Sequence, residues 1–212
     1  MVTSGDPVGS GFIQSFARPG GNVTGLSSFV SDLSNKQLEL LKELKPDISR
    51  VAVLSSSAND SNLGFLRQAH DPTAMLGLSL QTFDIRNVEN LQAALDAINR
   101  ERFGGLLVLI DQFTISHRAE VVSFANEKRL PAVYPLREFV LAGGLLSYGC
   151  SFANLHYRAA TYVDKLLKGV KMSELPVELP ARFEVVINNK TATVLGLNIP
   201  TTILLRVDEE VG

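Results

Sequence analysis

The sequence predicts an α/β fold built on parallel β-sheet. Across residues 35–135, short apolar or β-branched runs alternate with amphipathic helical stretches. Strand–helix–strand order of this kind implies parallel strands joined by right-handed crossovers. Hydrophobic residues make up 45% of the 212 residues and charged residues 20%, which is ordinary for a globular chain. The length suffices for one large domain or two small ones.

The first part of this alternating segment predicts two strands and two helices. RVAVLSSS at 50–57 is a β-rich run that ends in small polar residues, and LSLQTFDI at 78–85 alternates apolar and polar side chains. A helix is expected over 60–76, where Pro72 would kink or split it, and another over 88–100.

The second part predicts two more strands around one helix. GGLLVLID at 104–111 is a continuous apolar run, which is typical of a strand covered on both faces. An amphipathic helix over 116–129 and a short strand at 130–135 follow it.

The flanking segments predict elements of the same kind. A helix over 33–44 ends before Pro46, and a helix over 154–168 ends at Gly169, which suits the position after a helix. The remaining predicted elements are strands at 22–27, 143–148 and 181–188, an extended connector at 175–180, and a short helix at 190–195 ended by Gly196.

These elements predict two lobes. We assign residues 1–34 and 136–180 to a first, incomplete lobe, and residues 35–135 and 181–212 to a second lobe. A chain that crosses between lobes more than once is typical of hinged α/β proteins, and the cleft between the lobes is the expected ligand site.

Composition and spacing argue against several classes of function. A net charge of -2 without basic clusters argues against nucleic acid as a partner. The single cysteine, Cys150, and three scattered histidines predict neither a disulfide nor a metal site, and no motif predicts a cofactor. The apolar runs are too short to span a bilayer, and residues 1–20 carry no export signal. The acidic run at 208–210 is expected to be a solvated tail.

The glycine-rich stretch GDPVGSGF at 5–12 does not have the spacing of a phosphate-binding loop. An Asp-Pro pair instead suits the N-cap and first position of a helix, here continuing to Phe16. This stretch acts as a cap alone, or its backbone also contacts a ligand carboxylate. The residues of that second interpretation are Asp6, Pro7, Val8 and Ser10.

Polar residues follow two of the predicted strands. Ser56, Asn59 and Asn62 come after the first, and Asp111 and Gln112 end the third. Ligands of open α/β sheets bind at the carboxyl edge, so these residues are candidate ligand contacts. Ordinary loop chemistry for the first group and helix capping for the second remain open alternatives.

Three further candidates follow in the sequence. Tyr134 ends the fourth strand, Arg137 suits either a bidentate grip on a carboxylate or an ion network with Glu138, and Tyr148 offers an aromatic wall. Cys150 is expected to be a buried, idle thiol. No G-x-S-x-G or serine–histidine arrangement is present, so nothing predicts an enzyme.

Six blocks carry a family likeness, namely GDPVGSGFIQSFARPGGNVTGLS, LSNKQLELLKEL, SRVAVL, LPAVYPLREFVLAGGLLSYG, RAATYVDKLLKG and FEVVINNKTATVLGLNIP. In this order they resemble the ABC transporter substrate-binding protein family, in the branch associated with tryptophan and related aromatic solutes. ARPGGNVTG and REFVLAGGLLSYG are the most specific parts. The resemblance implies a fold like type I periplasmic binding proteins, with two Rossmann-like lobes. Family members are longer at the N-terminus, which implies a truncated first lobe, and Pro72 departs from their pattern.

The resemblance implies a solute-binding component of an ABC-type importer without catalysis. Its ligand would be a small amino acid-like or aromatic carboxylate in the interlobe cleft, and its partner an ABC permease. The implied location of the full-length protein is the periplasm or, as a lipoprotein, the cell surface. Open sheet edges in the incomplete lobe predict a homodimer. The alternative is a ligand-sensing regulatory module of the same fold.

Overall fold

The computed structural model describes residues 1–28, 33–59, 61–63, 66 and 70–212. The chain forms two compact units. Unit 1 comprises Met1–Ser31 and Cys150–Phe183, and unit 2 comprises Asp32–Gly149 and Glu184–Gly212. These units differ from the expected lobes mainly at residues 136–149, which belong to unit 2 because their strand pairs within its sheet.

Unit 2 is built on a seven-stranded sheet. Its strands are β1 (Arg50–Ser55), β2 (Ser79–Asp84), β3 (Gly105–Val108), β4 (Ala132–Tyr134), β5 (Leu146–Cys150), β6 (Phe183–Asn188) and β7 (Glu209–Val211). Their spatial order is β2-β1-β3-β4-β5-β6-β7. Pairing is parallel between β1 and β2, β1 and β3, β3 and β4, and β4 and β5, as well as between β6 and β7. The carboxyl ends of β1 to β5 therefore share one edge, and the predicted α/β fold class is confirmed.

Helices connect these strands. They are α1 (Leu33–Leu44), α2 (His70–Met75), α3 (Val88–Glu101), α4 (Gln112–Ser116), α5 (Arg118–Glu127), α6 (Arg137–Leu141), α7 (Phe152–Leu167), α8 (Asn189–Leu195) and α9 (Thr201–Leu204). Several begin at side-chain caps; at α3, for example, the Asn87 side chain accepts a hydrogen bond from the Asn90 N–H at 2.8 Å. Such caps fix where each helix leaves the sheet.

The core of unit 2 explains its apolar strands. Val53, Leu107 and Val133 on three adjacent strands have no exposed surface and pack in one cluster with Leu38 and Leu41 of α1. Strands covered on both faces need apolar residues throughout, which is why GGLLVLID reads as one continuous run.

Unit 1 is held together differently. Its extended segments meet through single parallel bridges, Ser4 with Ser27 and Leu26 with Glu178. The long helix α7 packs Leu155 and Tyr162 into a small cluster with Leu26. In unit 1, isolated bridges between short irregular segments thus take the place of the paired strands of unit 2.

Two predicted elements of unit 1 do not form. Residues 7–11 make a turn instead of a helix continuing to Phe16, because Gly11 adopts a φ of 72°, which a right-handed helix cannot continue through. The strand expected at 22–27 is reduced to the two bridges at Leu26 and Ser27. Gly25, with a φ of 135°, interrupts the extended geometry that a strand requires.

The helix expected over 116–129 is observed as α5. The short helix α4 precedes it and was not predicted; the backbone at His117 (φ -101°, ψ 17°) leaves helical geometry between the two. One prediction in unit 2 is corrected. The acidic run at 208–210 is not a solvated tail, since Glu209 and Glu210 belong to β7 and pair with β6. Sequence composition at the C-terminus did not indicate this pairing.

The helix expected over 60–76 lies partly outside the described residues. Within them, α2 spans His70–Met75 and includes the backbone of Pro72. Whether the rest of the segment is kinked or split therefore stays a prediction.

Candidate functional site

The loop after β1 is tied to the ends of both neighbouring strands. The Ser57 N–H and hydroxyl donate to the Asp84 carboxylate at 2.7 and 2.9 Å. The Asn59 side-chain amide donates to the Ile110 carbonyl at 2.9 Å. Because Asp84 ends β2 and Ile110 follows β3, these bonds fix the loop along the carboxyl edge of the sheet.

Asp84 carries a charge that this loop stabilises. Burial alone would raise the pKa of the Asp84 carboxyl group, but hydrogen bonds from Ser57 and Arg86 outweigh that effect and lower it. Asp84 therefore stays ionised at neutral pH and keeps its hydrogen bonds to the loop.

Asn59 and Asn62 mainly shape the loop itself. Asn62 is 3% exposed, and its amide donates to the Ser56 carbonyl at 3.4 Å. The Asn59 side-chain oxygen accepts from the Ser61 N–H at 3.1 Å. Ser56 is also buried, at 3% exposed. The loop-chemistry alternative is thus observed for these residues, and ligand contact stays a prediction.

Asp111 caps α4 at the same edge. Its carboxylate oxygen Oδ1 accepts a hydrogen bond from the Phe113 N–H at 2.8 Å, which confirms the capping alternative. A carboxylate offers several acceptor sites, so this one bond leaves Asp111 able to accept another. Gln112 beside it is exposed. Contact of Asp111 and Gln112 with a solute stays a prediction.

Tyr134 lies in the core of unit 2. It has no exposed surface, and its ring stacks on Phe139 with 5.1 Å between ring centroids. A Cβ atom at Gly144 would lie 2.6 Å from a carbon of that ring, so glycine is needed there. Burial raises the pKa of the Tyr134 hydroxyl, which has no hydrogen-bond partner among the residues that the structure describes. A solute does not reach this side chain in the structure.

Arg137 forms an ion pair with a residue that the sequence did not suggest. One guanidinium nitrogen contacts both carboxylate oxygens of Glu209, at 2.8 and 2.6 Å. An ion network is therefore observed, with Glu209 rather than Glu138 as the hydrogen-bonded partner. Burial raises the pKa of the nearby Glu184 carboxyl group, while the charge of Arg137 opposes that rise. Grip on a solute carboxylate by Arg137 stays a prediction.

Tyr148 lies in the middle of β5 and is partly buried against the core of unit 2. Its carbonyl accepts a hydrogen bond from the Gln37 side chain at 2.7 Å. Burial raises the pKa of the Tyr148 hydroxyl, and the neighbouring charges of Lys36 and Arg206 oppose the rise. Its role as an aromatic wall stays a prediction.

The turn at the start of unit 1 keeps part of its predicted capping chemistry. The Asp6 carboxylate accepts from the Gly9 N–H at 2.8 Å, and the Asp6 carbonyl accepts from the Ser10 N–H at 3.0 Å. Pro7 is buried, while Val8 and Ser10 are exposed. Of the residues expected to meet a ligand, Ser10 thus has its N–H already bonded within the turn.

Three features of the structure were not predicted from the sequence. Gln37 is 1% exposed on the buried face of α1, and its position one turn before Leu41 was the available signal. Phe113 stacks on His117, with 4.0 Å between ring centroids, directly after Asp111 and Gln112. Within the described part of the chain, the buried hydroxyl of Ser55 at the end of β1 has no hydrogen-bond partner, and no sequence pattern indicates this.

In the described part of the chain, no group of three or more His, Cys, Asp or Glu side chains is arranged to hold a metal ion. Among the helices described above, none combines the length and apolar character needed to cross a membrane.

Comparisons with known proteins place this architecture among binding proteins. Residues 1–211 match the family described as ABC transporter substrate binding protein. A tyrosine-binding protein of Clostridioides difficile is 26% identical over 197 residues, which cover 93% of this chain and 56% of that protein. The chain thus spans just over half the length of this curated relative.

Solved structures show a similar backbone. An ABC domain in complex with L-Trp from Streptococcus pneumonia superposes with a TM-score of 0.91 at 26% identity, covering 100% of this chain and 70% of that one. A conserved domain protein from Vibrio cholerae gives 0.88 at 26% identity, with coverage of 97% and 69%. A ligand-free, open substrate-binding protein from Clostridium difficile gives 0.71 at 23% identity, covering 99% and 70%, and shows the fold alone.

Proposed function

Because this chain belongs to the ABC transporter substrate-binding protein family, whose members bind solutes and are not enzymes, we propose that it binds an aromatic amino acid for an ABC-type importer. The observation that carries the proposal is the match of nearly the whole chain to two proteins of known solute, one tyrosine-binding and one bound to L-Trp. Both solutes combine an aromatic body with an ammonium and a carboxylate group.

The carboxyl edge of the unit 2 sheet supplies groups suited to such a solute. Asp111 keeps acceptor capacity beyond its cap and suits an ammonium group. Gln112 is exposed and offers both an amide donor and an acceptor. The partly exposed ring of Phe113 suits stacking against an aromatic side chain. We place the solute on these three residues, beside the loop that carries Ser56.

Other residues that the sequence indicated as ligand contacts remain proposals. The solute carboxylate would meet the backbone around Asp6 to Ser10 or Arg137, and Tyr148 would supply an aromatic wall. Ligand contact by the loop residues Asn59 and Asn62 stays a prediction, and buried Tyr134 would support this edge from the core. A solute site in an interlobe cleft also stays a prediction.

Location and partners follow from the family. ABC substrate-binding proteins are extracytoplasmic. We propose the periplasm or a lipoprotein on the cell surface as the location of the full-length protein, and an ABC permease as its partner. We also propose that the protein forms a homodimer. The regulatory alternative has no observation of its own in support.

The absence of tryptophan from the chain permits a direct binding test. L-tryptophan is titrated with the protein, and its own indole fluorescence is followed. We expect saturable binding that L-tyrosine displaces and L-glutamate does not. The substitution Asp111→Asn is expected to weaken binding by about tenfold, because it removes a charge from an ammonium contact.

The matched control is Asp96→Asn, which makes the same change at an exposed position of α3. It is expected to leave the affinity unchanged. The proposal fails if neither aromatic amino acid binds, or if both substitutions weaken binding equally.

A further inference from the structure

The backbone that carries Asp111 is held by side chains at three successive carbonyls. The Asn59 amide donates to the Ile110 carbonyl at 2.9 Å. The hydroxyl of buried Thr114 donates to the Leu109 carbonyl at 3.1 Å and to the Asp111 carbonyl at 2.9 Å. The chain leaving β3 is therefore fixed by groups that lie outside that strand.

Asn59 belongs to a different segment of the chain from the backbone that it holds. It lies in the loop after β1, 51 positions before Ile110, whereas Thr114 belongs to α4 itself. The Asn59 side-chain oxygen accepts from the Ser61 N–H at 3.1 Å, and the Asn59 backbone N–H donates to the Ser56 carbonyl at 3.1 Å. Both ends of the Asn59 amide thus have partners within the protein.

The same loop is also anchored to β2. The Ser57 N–H and hydroxyl donate to the Asp84 carboxylate at 2.7 and 2.9 Å, and Asp84 accepts from Arg86 Nε at 2.8 Å. The strands β2 and β3 lie on either side of β1, so the loop is held from both neighbours of its own strand. Asn59 therefore has a defined position from which to hold the Ile110 carbonyl.

From these contacts we propose that Asn59 is a positioning residue of the solute site instead of a contact of the solute. By holding the Ile110 carbonyl, it fixes the backbone from which the Asp111 carboxylate meets the solute. This role rests on the proposed function, in which Asp111 contacts the ammonium group. A carboxylate that is held in place before binding loses less freedom when the solute arrives, and this strengthens binding.

A double-mutant cycle separates positioning from direct contact with the solute. Asn59→Ala is expected to weaken L-tryptophan binding about threefold to tenfold, which corresponds to the loss of one hydrogen bond. When Asp111→Asn is already present, the same substitution is expected to change the affinity less than about twofold, because the charge that Asn59 positions is gone. The indole fluorescence of L-tryptophan reports each affinity, since the chain has no tryptophan of its own.

Asn126→Ala is the matched control. Asn126 lies in α5 of the same unit, is half-buried as Asn59 is, and donates through its side-chain amide to the Gly143 carbonyl at 3.0 Å. The control therefore removes the same kind of hydrogen bond from unit 2. It is expected to leave the affinity for L-tryptophan unchanged.

A second readout does not need the solute. In the free protein, Asn59→Ala is expected to speed hydrogen exchange of the Phe113 N–H, which is bonded to the Asp111 carboxylate, and Asn126→Ala is not. NMR follows this single amide. Exchange in β1 and β3 should stay slow in both variants, which would show that the sheet is intact.

Three results would overturn the proposal. Equal losses of affinity from Asn59→Ala with and without Asp111→Asn would mean that Asn59 acts independently of Asp111. Equal losses from Asn59→Ala and Asn126→Ala would indicate a general effect on stability, and unchanged exchange of the Phe113 N–H would mean that Asn59 does not hold this backbone. If the unsubstituted chain binds neither L-tryptophan nor L-tyrosine, the proposed function fails, and the exchange of the Phe113 N–H alone decides whether Asn59 positions Asp111.

Discussion

Unit 2 and unit 1 are made from one chain by different means. Unit 2 has a seven-stranded sheet and a continuous core in which Leu107, Val53 and Val133 are fully buried. In unit 1 the 16-residue helix α7 buries only Leu155 and Tyr162. The extended segments of unit 1 are joined by isolated β-bridges. Regular strands distribute stability over many contacts, whereas unit 1 depends on a few specific ones. Local stability should therefore differ between the units.

The largest expected effect comes from the core of unit 2. Leu107→Ala removes a fully buried side chain from the centre of the sheet and is expected to cost about 2–5 kcal/mol of unfolding free energy. Urea denaturation followed by circular dichroism measures it. Leu205→Ala, at a position 83% exposed, is the control and should change stability by no more than about 0.5 kcal/mol. Equal losses in the two variants would refute the assignment of the core.

A smaller effect is expected in unit 1. The Thr24 hydroxyl donates to the Leu175 carbonyl at 2.7 Å, and this bond is buried. Thr24→Val is expected to cost about 1–3 kcal/mol, because it leaves that carbonyl without its partner. Hydrogen exchange should show faster opening of residues 24–27 and 175–178 and little change in β1 and β3. Faster exchange throughout both units would contradict the claim that the two units differ in local stability.

The smallest expected effect depends on pH. Burial raises the folded-state pKa of Glu184 above its usual value, so protonation favours the folded state, and this contribution is lost as pH rises through that pKa. Glu184→Gln should therefore stabilise the protein more at about pH 7 than at about pH 4. The gain is modest because Glu184 is only partly buried and the charge of Arg137 already offsets part of the penalty.

Thermal melts of both proteins across this pH range measure the difference. Glu174→Gln, at an exposed position of unit 1, serves as the control. A stabilisation that grows toward low pH would have the wrong sign for a raised pKa.

The contrast between the units also explains what the sequence was able to predict. Strands such as β3 are encoded locally, by unbroken apolar runs, and the predicted α/β class and most elements of unit 2 are confirmed. In unit 1, a Cβ at Gly25 would meet the Met1 carbonyl oxygen at 1.9 Å. That close approach sets the local geometry through a residue 24 positions away. A pattern within one window does not contain such information.

The candidate site shows the same limit. Placing Asp111 and Gln112 at a carboxyl edge needed only the order of strands and helices. The pairing of Arg137 with Glu209 joins residues 72 positions apart, and no motif links them. For Tyr134, the sequence indicates the end of a strand. It does not show that the ring packs between Phe139 and Gly144 inside the core.

The claim that the solute binds at the carboxyl edge of unit 2 is tested most directly by hydrogen exchange with and without saturating L-tyrosine. We predict slower exchange in residues 55–59 and 109–113, where the loop after β1 and the cap of α4 lie. Exchange in the edge strand β2 should not change beyond its last residue. Binding of L-tyrosine without protection of either segment would contradict this placement of the solute.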